Sequence, residues 1–132
     1  MARLKIEETA LTPFVDFNAE SGVMEIRGRA IPEDPDTFWM PILNWFESYI
    51  LNANNRTVIR INLEYFNISS SKRILFLLYK LNDMAEAGKD VCVEWHHRDT
   101  DEDMYEVGQD YAYMVKVPFV FKEHQEFDLA IA

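Results

Sequence analysis

The sequence predicts a single α/β domain in which helices pack on a mixed sheet behind an N-terminal β-hairpin. Three observations lead there. The 132 residues suit one domain, large enough to bury a core without disulfides or metals. β-branched runs alternate with helical stripes along the chain, which implies parallel strands joined by crossovers. A turn cluster separates two short apolar runs near the start, which implies a hairpin.

Phe14-Val15-Asp16-Phe17 and Val23-Met24-Glu25-Ile26-Arg27 are the hairpin strands, around Asn18-Ala19-Glu20-Ser21-Gly22. Residues 31–36 end the second strand. Pro32 and Pro35 cannot donate ladder bonds, and the acids there suit a helix start. That helix runs to about Asn52, with Phe38, Ile42, Trp45, Phe46 and Tyr49 three and four apart. Pro41 either falls in its first turn or kinks it near residue 38. Residues 57–63 form a strand with Ile59, Ile61 and Leu63 on one face. The segment Glu64-Tyr65-Phe66-Asn67-Ile68-Ser69-Ser70-Ser71 leads into a second helix, with Ser69 or Ser70 as its cap. Its stripe is Ile74, Leu75, Leu77, Leu78, Leu81 and Met84, and Gly88 closes it. Residues 91–95 are a short strand. Asp99 to about Val115 is an acidic, weak helix containing Gly108, and Phe119-Val120-Phe121 is a last edge strand. The order is β-β-α-β-α-β-α-β. Ile59, Ile61, Leu75, Leu78, Leu81 and Val93 are expected to meet in the core.

Composition narrows the function. Acids outnumber bases 23 to 13, a net charge of −10. Such a chain repels nucleic acid and anionic membranes and attracts basic protein surfaces. One cysteine, Cys92, permits no intrachain disulfide and suits a reducing compartment. No apolar run is long enough for a signal peptide core or a membrane span. The expectation is a cytoplasmic protein, with no nucleic-acid or membrane partner.

Chemical motifs fail in detail. Asp99, Asp101, Asp103 and Asp110 imitate a calcium loop, but Met104 stands where glycine is needed and Asp110 where a bidentate glutamate is needed. His96 and His97 are adjacent on a strand and point to opposite faces, and His124 has no ligand-spaced partner. Cys92, between valines, reads as a buried thiol. No P-loop, G-x-G-x-x-G or nucleophile turn occurs. No enzyme activity, cofactor or metal is expected.

The informative segment is Asn67-Ile68-Ser69-Ser70-Ser71-Lys72-Arg73, between the best strand and the best helix. Its plain reading is a helix cap. Its functional reading is a phosphorylation switch, because a helix N-terminus offers free N–H groups and a favourable dipole to a phosphate. Lys72 and Arg73 follow Ser69 by three and four residues, the spacing that sets cations beside it.

Leu63-Glu64-Tyr65-Phe66-Asn67-Ile68-Ser69-Ser70 between a strand and an apolar helix resembles the signature of the SiaC family of regulatory phosphoproteins. Thr12-Pro13, Pro32-Glu33 before a helix with Trp45, and Val93-Glu94-Trp95-His96 match as well, so the likeness spans nearly residues 1–132 as one regulatory domain. The resemblance implies a STAS-like fold, that of anti-sigma-factor antagonists. It implies a bacterial partner-switching protein without catalysis, phosphorylated by a Ser/Thr kinase and restored by a PP2C-type phosphatase. Unphosphorylated, it would bind and activate a diguanylate cyclase, tuning cyclic-di-GMP and biofilm formation. The family's acceptor is typically a threonine directly after the asparagine, and here that position is Ile68. The expected acceptor is therefore Ser69, with Ser70 second, or none. Tyr65, Phe66, Asn67, Ile68, Lys72 and Arg73 would surround it and contact the partner. The alternative is a STAS-like scaffold domain without phosphorylation, binding through aromatics such as Tyr65 and Phe66.

Overall fold

The computed structural model describes residues 1–125. The elements are β1 (Leu4–Ile6), β2 (Phe14–Asn18), β3 (Val23–Ala30), α1 (Pro35–Ile50), β4 (Arg56–Phe66), α2 (Ile68–Glu86), β5 (Asp90–Arg98), α3 (Glu102–Met114) and β6 (Phe119–His124). The six strands form one mixed sheet in sequence order. β1, β2 and β3 pair antiparallel, and β3 to β6 pair parallel.

One sheet face is buried. Val15, Phe17, Met24, Ile26, Ile59, Ile61, Val93 and Trp95 alternate with Asp16, Glu25, Arg60, Glu94 and His96, which lie on the partly exposed face. α1 packs on that buried face through Phe46 against Phe17, and α3 through Tyr111 against Trp95. α2 lies between them. The open face carries ion pairs instead, such as Arg60 to Glu94 at 3.2 Å and Arg98 to Glu64 at 3.3 Å.

Several local expectations are corrected. β1 adds a strand before the hairpin; three residues are too few for a periodic signal, and pairing with the β2 edge defines them. The strands run longer than their apolar cores: β4 extends through Phe66, β5 through Arg98 and β6 through His124. Cross-strand pairing carries their polar ends. Pro41 lies beyond the first turn of α1, whose N1 residue is Pro35, capped by Asp34. The inward line of α1 is Trp39, Ile42, Phe46 and Tyr49, so Phe38 and Trp45 flank the core rather than fill it. Leu75 is likewise only partly buried, while Ile74, Leu77, Leu78 and Leu81 point inward.

Two glycines explain their positions. Gly88 has φ +86°, its N–H bonds the Ala85 carbonyl, and the Lys89 N–H bonds Met84, the paired closure of a Schellman end. Gly108 sits inside α3 because the Trp95 ring lies against it: a Cβ there would come within 2.5 Å of the indole. Close approach of helix to sheet outweighs its poor helix propensity.

Candidate functional site

The connection from β4 to α2 is a single residue, Asn67. Its backbone is extended, and its Oδ1 accepts from the Ser70 N–H at 3.0 Å. Asn67, not Ser69 or Ser70, is therefore the helix cap. A cap needs extended backbone and an acceptor reaching N3, and both serines already lie within the helix. The Asn67 N–H in turn bonds the Ala30 carbonyl at 3.1 Å, fixing the junction to β3.

A bulge aims the residues before the cap. The register shifts between Gly28 and Arg29: Gly28 pairs with Leu63, but Arg29 pairs with Tyr65. Glu64 is the extra residue, and Gly28 takes φ +121° opposite it. Plain alternation after Leu63 would turn Tyr65 inward. The bulge instead leaves Tyr65 52% exposed and brings Phe66 edge-on to Trp95, with ring centroids 6.4 Å apart. Phe66 is thus half-buried, and Tyr65 alone of this pair is a surface aromatic.

The three serines have different fates. Ser69 is half-buried, and its hydroxyl donates to Asn67 Oδ1 at 3.1 Å. Ser70 is fully buried, and its Oγ accepts from Trp39 Nε1 at 3.1 Å. A kinase has no path to Ser70 in this conformation. Ser71 bonds the Ile68 carbonyl through its hydroxyl at 2.7 Å, and its own carbonyl accepts from the Tyr111 hydroxyl at 3.3 Å. Through these bonds α1, α2 and α3 are tied together at the start of α2.

The cations are placed unequally. Arg73 donates to the Ser69 carbonyl at 3.1 Å and also pairs with Asp36, so its charge is already engaged. Lys72 is exposed and makes no ion pair among the described residues. The first turn of α2 contains no acid, unlike α1 with Asp36 and α3 with Glu102 and Asp103. Ile68, the first helical residue, is 77% exposed. The site is a capped helix start with Tyr65 and Ile68 as exposed apolar side chains, Ser69 and Ser71 as half-buried hydroxyls and Lys72 as a cation with no ion pair among the described residues.

Other chemistry is not assembled. Among the described residues no three His, Cys, Asp or Glu side chains are grouped to hold a metal. Asp101 caps α3 by accepting from the Met104 N–H at 3.0 Å. Burial pushes the Cys92 thiol up from its ordinary value, away from the thiolate. His124 does acquire a partner. Its Nε2 lies 2.6 Å from His96 Nδ1, with the rings stacked at 4.8 Å. Only the β5–β6 register brings them together. No described helix is long and apolar enough to cross a membrane.

A protein of Pseudomonas aeruginosa strain UCBPP-PA14, described as uncharacterized, is 24% identical over 126 residues, covering 96% of this chain and all of that one. Among solved structures, a chain of the crystal structure of the diguanylate cyclase SiaD in complex with its activator SiaC, from Pseudomonas aeruginosa, superposes with a TM-score of 0.88. It is 23% identical, over 92% of this chain and 99% of that one. Apo-SiaC of the same organism gives 0.85 at 22% identity, over 92% of this chain and 99% of that one. These likenesses establish the fold. The SiaC family model, that of a regulatory phosphoprotein, matches residues 6–124. The chain belongs to the SiaC family of regulatory phosphoproteins.

Proposed function

We propose that this protein is a non-catalytic partner-switching regulator that binds and activates a diguanylate cyclase when unphosphorylated. The observation that carries this reading is the start of α2, where Ile68 and Tyr65 project from a backbone fixed by the Asn67 cap and the Trp39–Ser70 bond. A preformed apolar patch binds without the cost of ordering a loop. The description of the similar SiaC as the activator of SiaD supports a cyclase as the partner.

Phosphorylation would act on the same patch. Ser69 is the half-buried hydroxyl nearest the cap, with Lys72 three residues on. A phosphate there would add charge beside the apolar contacts and break the Ser69–Asn67 bond. A cytoplasmic Ser/Thr kinase and a PP2C-type phosphatase are the proposed controllers. The second reading is a constitutive binding domain, and Ile68 favours it: the residue directly after the cap has no hydroxyl.

The deciding experiment incubates the chain with ATP and the Ser/Thr kinase of its own host, maps any phosphate by mass spectrometry, and measures cyclase binding before and after. Phosphate on Ser69 with weakened binding supports the switch. No phosphate, with binding intact and Ile68→Thr restoring modification, supports the constitutive reading. Modification at Thr57 or Thr100 alone overturns the site.

A further inference from the structure

A second concave site lies where β5 and β6 end and α3 begins. It is a cavity of about 430 Å³ with four carboxylates at its edge, Asp99, Asp101, Glu102 and Glu123. No Lys or Arg lines it. Its wall is aromatic. Tyr105 lies 4.9 Å from the His97 ring and 5.3 Å from the Phe121 ring, centroid to centroid. His97 also lines the cavity and is only 7% exposed. Its Nδ1 donates to the Arg98 carbonyl at 3.0 Å. Nε2 has no hydrogen-bond partner among the described residues.

We propose that this cavity receives an arginine side chain presented by a protein partner. The lining is rich in carboxylate oxygens and includes an imidazole nitrogen without a hydrogen-bond partner among the described residues. An excess of anionic acceptors calls for a ligand that carries several N–H groups and a positive charge. A guanidinium has five donors and a flat face that stacks on Tyr105, whereas an ammonium is a compact, strongly hydrated point charge. The net charge of −10 steers such a partner in. The chain's own C-terminal residues 126–132 contain no Lys or Arg, so they cannot supply the group. The proposal stands apart from the switch at α2, because it uses other residues and needs no phosphate.

The test is an NMR titration of the isotope-labelled full chain with the blocked tripeptide Gly-Arg-Gly, and with its citrulline and lysine counterparts. The arginine peptide shifts signals of His97, Tyr105 and Phe121 in a saturable way, and the citrulline peptide, isosteric but neutral, does not. Glu123→Gln and Tyr105→Leu, both at partly exposed positions, each weaken binding about fivefold. Absence of saturable shifts at the cavity, equal shifts from the citrulline peptide, or equal affinity for the lysine peptide would each overturn the assignment.

Discussion

The Trp39 indole donates to Ser70 Oγ at 3.1 Å inside the core, joining α1 to the first turn of α2 across 31 positions. This bond converts a serine that looks like part of a modifiable cluster into a structural one. Ser70→Ala leaves the buried indole N–H without its acceptor and should cost about 1–3 kcal/mol. Chemical denaturation measures it. A loss below roughly 0.5 kcal/mol would mean that the bond contributes little.

Gly108→Ala should also destabilise the fold, although alanine is the better helix former by about 1 kcal/mol. The new methyl would meet the Trp95 ring at 2.5 Å and push α3 off the sheet. Overpacking of this kind costs about 1–3 kcal/mol. A raised melting temperature would show that the helix and the indole can separate freely.

Leu78 and Leu75 are three residues apart on α2 but differ in burial. Leu78→Ala should cost about 2–5 kcal/mol, as at a filled core site. Leu75→Ala should cost clearly less, because its side chain keeps part of its surface in water. Equal losses in urea melts would contradict the packing described.

Acid should weaken the protein through His96. Burial first, and the adjacent His124 ring second, hold its imidazole below the ordinary value, while Glu94 partly offsets them. The unfolded chain therefore takes up the proton at higher pH than the folded one. Stability from this group is whole above about pH 6.5 and declines as pH falls toward the folded-state value. His96→Gln should flatten the pH dependence of the urea midpoint between about pH 7 and pH 5. An unchanged slope in that variant would assign the effect elsewhere.

Much of this architecture was legible because local patterns agree with tertiary need. The stripe from Ile74 to Met84 and the run around Ile59 and Ile61 each declare their period, and Gly88 marks a true helix end. What was hidden depends on pairing between distant residues. The bulge at Glu64 arises only when β4 meets Gly28 of β3, and it decides that Tyr65 rather than Phe66 faces water. Trp39, not Phe38, took the inward place, because Trp39 continues the line of Ile42, Phe46 and Tyr49 while Phe38 is turned about 100° away from it. At the site, the position of Ser69 next to the cap could be read directly. The burial of Ser70 and the engagement of Arg73 by Asp36 could not, since both partners lie on α1.

The most direct measurement of the central claim is the rate of cyclic-di-GMP formation by the host's diguanylate cyclase, with and without this protein. The wild-type chain should raise the rate, and Ile68→Asp should not. An acid at the first helical position suits the helix dipole, so that variant should stay folded with an unchanged melting curve. It places a negative charge in the middle of the exposed patch. No stimulation by the wild-type chain, or full stimulation by Ile68→Asp, would contradict a cyclase-activating surface at the start of α2.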